Sequence, residues 1–210
     1  MSYSSQMSES IFTPPQQAID GAVFGNNFGN SMNVREVGAL RVAMESAIVS
    51  AFQHGEDVPV GAAALKGDEI TGLGYAADKM HKQPDLHAEA MTILDSRSKR
   101  ATANPDTVVV TLEPCTKCQD FLADQPGIKV VAFGLSRSDA AERGILKPHA
   151  ETIFERANRV GLPYEVRQVE DEQLRTIGLT LLDHVERNLD TEAVSIDTGR
   201  LLAALTQLKP

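Results

Sequence analysis

The sequence predicts an α/β protein with a three-layer α/β/α fold and a five-stranded mixed sheet, in which the last two strands run parallel. Short apolar runs alternate along the chain with segments of helical period, and this alternation is typical of a sheet covered by helices. Only residues 66–69 separate the first two runs, a length that suits an antiparallel hairpin. About 28 residues, including a helical segment, separate the last two runs, and a crossover of that length favours parallel pairing.

The individual elements follow from the spacing of apolar residues. From residue 34 to about residue 54 these recur every three to four positions, which predicts an amphipathic helix. The predicted strands span residues 58–65, 70–75, 107–112, 129–135 and 164–169. Further helices are predicted over residues 87–98, 115–123, 150–160 and 172–187, with a loop over 76–86 and Ser138 capping a turn after the fourth strand. We expect the helix over 87–98 to bury Ala90, Met91 and Leu94.

The chain is predicted to contain one domain, over residues 34–190. Its 210 residues, 42% of them hydrophobic, are enough for a single core. Residues 1–33 are rich in Ser, Gln, Asn and Gly and are predicted to be an irregular extension. Residues 191–210 form a predicted tail with a short amphipathic helix, whose leucines we expect to dock onto the protein's own domain, with a dimer contact as the alternative.

Composition and charge narrow the location and the partners. No stretch of about 18 uninterrupted apolar residues occurs, and no basic region followed by an apolar one begins the chain. Neither a membrane span nor a secretion signal is therefore expected, and a cytoplasmic protein is predicted. The 20 Lys and Arg against 29 Asp and Glu give a net charge of -9, which disfavours nucleic acid as a partner.

The two cysteines indicate a metal site. Cys115 and Cys118 are too close in sequence to staple a domain, but residues three apart share one face of a helix, so both sulfur atoms can reach one ion. His87, at the start of the preceding helix, is the third candidate ligand. Three protein ligands leave one position open for water, which is typical of catalytic zinc and not of structural zinc. Zinc lowers the pKa of bound water to about 7, so hydroxide becomes available to attack an electron-poor ring carbon.

Glu89 is the candidate acid and base. It lies two residues after His87 and is not needed as a ligand. A carboxylate beside activated water can take its proton and pass it to a ring nitrogen and then to a leaving amine.

These residues carry a resemblance to a known family. His87-Ala88-Glu89 followed by Pro114-Cys115-Thr116-Lys117-Cys118 resembles the H-x-E and P-C-x-x-C signature of the cytidine deaminase-like superfamily. Residues 58–62 and 111–114 and the order of elements extend the resemblance over roughly residues 34–187. It is nearest to the nucleoside, guanine and tRNA adenosine deaminases. The resemblance implies Zn²⁺ as cofactor, hydrolytic release of ammonia from a nucleobase or nucleoside, and a homodimer.

The substrate is predicted from the charge of the chain and from two positions at which the sequence departs from that of similar enzymes. The acidic chain favours a small nucleobase or nucleoside, and tRNA is the disfavoured alternative. Ala76 stands where similar enzymes usually have an asparagine that binds the base or sugar, and Lys117, where they commonly have an apolar residue, is expected to be solvated. Tyr75 and Ala88 are the candidate substrate contacts.

Three other interpretations remain open at this point. A redox C-x-x-C leaves His87 and Glu89 unexplained, and a zinc knuckle needs a fourth ligand such as the remote His81, His149 or His184. A catalytically silent scaffold subunit with the deaminase fold fits the missing asparagine, whereas the presence of Glu89 favours an enzyme.

Overall fold

A computed structural model describes residues 31–54, 58–83, 85–99, 104–146 and 151–190. The predicted tail and residues 1–30 of the predicted extension lie outside these ranges. The helices are α1 (Ser31–His54), α2 (Asp78–His81), α3 (Ala88–Lys99), α4 (Thr116–Ala123), α5 (Arg137–Glu142), α6 (Ile153–Val160) and α7 (Glu172–Asp190). The strands are β1 (Gly61–Lys66), β2 (Glu69–Tyr75), β3 (Thr107–Leu112), β4 (Val130–Leu135) and β5 (Glu165–Gln168). In the described part of the chain, no helix is long and apolar enough to cross a membrane.

The sheet confirms the predicted topology. Its strand order is β2-β1-β3-β4-β5, with β1 antiparallel to both β2 and β3. The pairs β3/β4 and β4/β5 are parallel, as the long crossover predicted. Lys66 pairs with Glu69, so a two-residue turn joins β1 to β2, and Gly67 takes the positive φ of 58° that such a turn requires.

Two local predictions are wrong. The short helix α2 interrupts the segment predicted as a loop over 76–86. Ser136, and not Ser138, caps α5, because its side chain accepts the Asp139 N–H while the Asp139 carboxylate accepts the Ser136 N–H. This reciprocal pair satisfies two backbone donors that the helix itself leaves free.

Helices cover both faces of the sheet. On the face that we call the α1/α7 face, large apolar side chains from α1 and α7 pack against alternate strand residues, among them Ala63, Val109 and Ala132. The intervening residues of the same strands, such as Val110 and Phe133, point to the other side of the sheet and form a second cluster with α3, α4 and α6. We call this second side the α3/α4 face.

On the α3/α4 face, α3 lies unusually close to β2. A Cβ atom built on Gly74 would lie 2.4 Å from the backbone nitrogen of Thr92 and 2.5 Å from the carbonyl oxygen of Ala88. A Cβ on Gly72 would lie 2.4 Å from the Thr92 carbonyl oxygen. Only glycine at these two positions permits this distance between strand and helix.

The close approach overturns the predicted buried face of α3. The residues that α3 buries are Ala88, Glu89, Thr92, Ile93 and Ser96. Leu94, predicted to be buried, is 52% exposed, and Ala90 and Met91 are only half-buried. Only small side chains of α3 have room to pack against the glycines. The polar side chains among them make hydrogen bonds within the interior. The Thr92 hydroxyl donates to the Ala62 carbonyl at 3.0 Å, and the Ser96 hydroxyl donates to that of Thr71 at 2.8 Å.

Candidate metal centre and active site

The three predicted metal ligands lie at the N-terminal ends of two helices. His87 directly precedes α3, and its carbonyl accepts the Met91 N–H at 3.0 Å. Cys115 is the N-cap of α4 with extended backbone, and its carbonyl accepts the Gln119 N–H at 2.9 Å. Cys118 lies in the first turn of α4. Since α3 and α4 both lie on the α3/α4 face, their first turns meet at one point.

The ligand atoms have the spacing of a tetrahedral site. The His87 Nδ1 atom lies 3.2 Å from the Cys118 Sγ and 3.6 Å from the Cys115 Sγ, and the two sulfur atoms are 3.4 Å apart. Zinc bonds of about 2.0 Å to nitrogen and 2.3 Å to sulfur place tetrahedral nitrogen and sulfur ligands about 3.5 Å apart and two sulfur ligands about 3.8 Å apart, within a few tenths of an ångström of these distances. The imidazole and two sulfurs thus fit Zn²⁺ in both geometry and chemistry.

The same three residues form a group that leaves the ion one free position. Among the described residues, His87, Cys115 and Cys118 form the group of potential metal ligands, of the types His, Cys, Asp and Glu, that lie close enough together to hold an ion. His81 is exposed and outside this group, while His149 and the side chain of His184 lie beyond the described part of the chain. Cys118 is buried, whereas His87 and Cys115 are half-buried, so one side of the site faces outward.

The surroundings already favour a thiolate. A hydrogen bond with Cys118 lowers the pKa of Cys115 to about 4, and a second one with His87 acts in the same direction against burial. The shared hydrogen bond raises the pKa of Cys118, and the contact with Cys115 raises the pKa of His87. In this pair the imidazolium supplies the positive charge beside the thiolate. A metal ion would supply that charge after displacing the protons. The N-terminus of α4 adds to this stabilisation.

Glu89 lies in the first turn of α3, two residues after His87, and only 3% of it is exposed. Burial raises the pKa of this carboxyl, while a hydrogen bond with Cys118 lowers it. A buried carboxyl with a raised pKa beside a candidate metal ligand is a candidate for proton transfer.

The remaining predicted residues are not part of the ligand group. Ala88 is fully buried at the start of α3, and Tyr75 is half-buried at the end of β2. Ala76 is buried, and its N–H donates to the Val60 carbonyl at 2.9 Å. Lys117 is exposed, as predicted, and its Nζ lies 3.4 Å from the carboxylate of Asp85.

Glu113 was not among the predicted site residues, although its carboxylate is buried close to the cysteine turn. Glu113 is 2% exposed, and its two carboxylate oxygens accept the backbone N–H groups of Arg137 and Ile153. These partners are 24 and 40 residues away in sequence. Two signals were present: Glu113 falls within the resemblance over residues 111–114, and it is an acidic residue directly after a strand of apolar and β-branched residues.

Comparison with known proteins supports the family suggested by the motifs. The family model for the cytidine and deoxycytidylate deaminase zinc-binding region matches residues 36–135, a range that contains His87, Glu89, Cys115 and Cys118. The matched region, the relatives and the fold all fit the cytidine deaminase-like superfamily, and the resemblance is confirmed. The zinc-binding region and the donor set together support Zn²⁺ as the cofactor.

The relatives matched by sequence are tRNA-specific adenosine deaminases. The one from Aquifex aeolicus is 37% identical over 100 residues, which cover 47% of this chain and 65% of that protein. The one from Streptococcus pyogenes serotype M18 is 33% identical over 64 residues, which cover 30% of this chain and 40% of that protein. The matches thus span less than two thirds of the length of these curated relatives.

Solved structures with the same fold have lower sequence identity. The guanine deaminase from Nitrosomonas europaea superposes with a TM-score of 0.57 at 16% identity, covering 71% of this chain and 84% of that one. The diaminohydroxyphosphoribosylaminopyrimidine deaminase/5-amino-6-(5-phosphoribosylamino)uracil reductase from Thermotoga maritima gives 0.50 at 22% identity, covering 75% and 43%. At such identities the likeness shows the fold.

Proposed function

We propose that this protein is a zinc-dependent hydrolase that releases ammonia from the amino-substituted ring of a nucleobase or nucleoside. The observation that carries the proposal is the convergence of His87 Nδ1 and the sulfur atoms of Cys115 and Cys118 within 4.8 Å of one another, with the buried carboxyl of Glu89 beside them. Three ligands and an adjacent acid or base are what a hydrolytic metal site needs.

Each residue has a distinct role in the proposed reaction. His87, Cys115 and Cys118 would hold the ion, which when bound acts as a Lewis acid that activates water. Glu89 takes a proton from that water and delivers it to the ring nitrogen next to the carbon under attack. Glu89 then transfers the second proton to the amine as the carbon–nitrogen bond breaks. The sum is one water consumed, one ring amine replaced by a carbonyl, and one ammonia released.

Charge supports a small substrate over tRNA. The chain has a net charge of -9, and the exposed Lys117 near the centre is paired with the exposed Asp85. A surface that binds RNA needs unpaired basic groups along the backbone path. The opposing observation is the sequence match to tRNA-specific adenosine deaminases, which makes adenosine in tRNA the second candidate substrate.

Tyr75 and Ala88 are proposed as walls of the substrate site, and the assembly is proposed to be a homodimer. Tyr75 ends β2 and Ala88 begins α3, so both lie at the edge of the sheet next to His87. An aromatic ring there can stack on a flat base. Sedimentation equilibrium tests the assembly, and a monomeric mass would remove the dimer from the proposal.

The test is ammonia release by zinc-loaded protein from cytosine, guanine, adenine, their nucleosides and a tRNA anticodon stem-loop. Glu89→Gln is the control, because the amide keeps the shape of the side chain and cannot accept the proton. Turnover of a small substrate that disappears in Glu89→Gln is the expected result. Activity on the stem-loop alone would favour the tRNA reaction, and no turnover with zinc bound would favour the silent scaffold.

A further inference from the structure

The carboxylate of Glu113 joins three segments of the chain: the end of β3 and the starts of α5 and α6. It follows β3 and precedes Cys115 by two residues. One oxygen accepts the N–H of Arg137 at 2.9 Å, and the other accepts the N–H of Ile153 at 2.5 Å. These are the first residues of α5 and α6, so the negative charge lies where two helix N-termini present free donors. A buried carboxylate is unfavourable without such partners, so the three segments form one unit.

Helix α6 then returns to the metal-binding turn. Arg156, one turn after Ile153, has a side chain only 13% exposed. Its guanidinium donates to the carbonyl of Thr116 at 3.1 Å and pairs with the carboxylate of Asp120. Thr116 lies directly after Cys115. The turn is therefore held before Cys115 by Glu113 and after it by Arg156, through the same helix.

The cysteine turn needs such support from outside. Cys115 occupies the N-cap of α4 without a side-chain capping hydrogen bond. Its side chain is therefore not fixed by the capping contact that Ser136 and Thr152 make for α5 and α6. On the inner side, the Gln119 amide donates to the Pro114 carbonyl at 2.8 Å. The backbone that carries the Cys115 sulfur is thus held by contacts that its neighbours make.

We infer that Glu113 is a positioning residue which, through α6 and Arg156, fixes the separation of the Cys115 and Cys118 sulfur atoms and so sets the affinity for zinc. The inference rests on the metal ligation proposed above. Residues that orient metal ligands without touching the metal contribute roughly 10-fold to 100-fold in affinity. The link from Glu113 to Thr116 is of this kind.

The experiment measures zinc affinity by competition with a chromophoric chelator, together with the visible spectrum of the cobalt-substituted protein. Glu113→Gln keeps the volume but turns a hydrogen-bond donor toward one of the two backbone N–H groups. We expect it to weaken zinc binding roughly 10-fold to 100-fold and to change the thiolate-to-cobalt absorption. Arg156→Gln breaks the link at its other end and is expected to act in the same direction.

Thr152→Ala is the matched control. Thr152 caps α6 by accepting the Glu155 N–H, next to the residue that Glu113 binds, but its side-chain hydrogen bonds reach neither Glu113 nor the cysteine turn. It is expected to lower the melting temperature while leaving zinc affinity and the cobalt spectrum unchanged. If the zinc affinity of the Glu113→Gln variant equals that of the Thr152→Ala variant, the inference is overturned.

The outcomes separate this inference from the proposed function. A wild-type protein that binds neither zinc nor cobalt through its thiolates would overturn the proposed function and the inference with it. Wild-type binding that Glu113→Gln leaves unchanged would overturn the inference alone. If Glu113→Gln does not fold, Arg156→Gln decides, and zinc affinity equal to wild type in that variant would overturn the inference.

Discussion

The two faces of the sheet are packed by different means. On the α1/α7 face, α1 buries long apolar side chains, among them Leu40, Met44 and Ile48, each at most 1% exposed. On the α3/α4 face, α3 buries polar side chains and lies on the glycines of β2. Apolar area of the first kind stabilises the domain, with each large side chain contributing about 1.5 to 3 kcal/mol. The close backbone contact of the second kind places the start of α3, with His87 and Glu89, against the end of the sheet.

The largest contrast is expected between two glycine-to-alanine substitutions, one in β2 under α3 and one in α1. In Gly74→Ala the new methyl group would meet the backbone of Thr92 and Ala88 at 2.4 and 2.5 Å, and the start of α3 would have to move. We expect a loss of about 3 kcal/mol or more in the free energy of unfolding, with zinc retention lost as well. Gly38→Ala in α1 has nothing within 4 Å and is expected to stabilise by about 0.5 to 1 kcal/mol.

Denaturant unfolding and zinc content measure both variants. A Gly74→Ala protein that retains zinc and wild-type stability would show that α3 can shift without harm to the site, contrary to the tight contact described. Equal effects of the two substitutions would show that the contact of α3 with Gly74 is no tighter than the open surface at Gly38.

A core truncation on the α1/α7 face is expected to separate stability from metal binding. Leu40 is 1% exposed, and its methyl groups lie over Gly134 of β4. Leu40→Ala is expected to lower the free energy of unfolding by about 2 to 3 kcal/mol, the usual result of a cavity in a core. Because the site lies on the opposite face, zinc affinity of the folded protein should not change. A tenfold loss in a zinc competition assay would contradict this separation.

A smaller effect, with a defined pH dependence, is expected beside α7. Burial opposes ionisation of Asp139, but hydrogen bonds from Ser136 and the ion pair with Arg175 outweigh it and hold the pKa of this carboxyl below its usual value. The stabilisation is therefore complete above the pKa of the unfolded chain and is lost as the pH falls through the folded pKa. Asp139→Asn should lower the free energy of unfolding by roughly 1.5 kcal/mol at pH 7, with a smaller difference at pH 3. A difference that grows toward acid pH would have the wrong sign.

The smallest effect is expected on the outer side of α3. Leu94 is 52% exposed, so Leu94→Gln should change the free energy of unfolding by at most about 0.5 kcal/mol. Thermal unfolding of the two proteins gives the comparison. A loss above about 2 kcal/mol would mean that the apolar period of α3 marks a packed face after all.

The difference between the two faces explains which elements the sequence predicted correctly. Long apolar side chains at helical spacing indicated α1, and a β-branched run indicated β3 over the observed Thr107–Leu112. The buried face of α3 was mispredicted, because what it packs against depends on two glycines in another element. No periodicity in α3 itself encodes that contact.

The site follows the same rule. Candidate metal ligands could be chosen from the sequence because the chemistry of zinc restricts them to few residue types at fixed local spacing, and the structure brings the three candidates, His87, Cys115 and Cys118, together. The partners of Glu113 were not predictable, because backbone N–H groups carry no sequence signal and here come from the starts of two distant helices. Local chemistry was therefore predictable from the sequence, whereas the contacts that hold it in place were not.

X-ray absorption at the zinc edge tests the central claim most directly. For the zinc-loaded protein we predict two sulfur ligands at about 2.3 Å and two nitrogen or oxygen ligands at about 2.0 to 2.1 Å, with a single imidazole and one water among them. That result would mean an open, catalytic position beside Glu89. A second imidazole or a third sulfur in place of water would show a closed structural site and contradict the account.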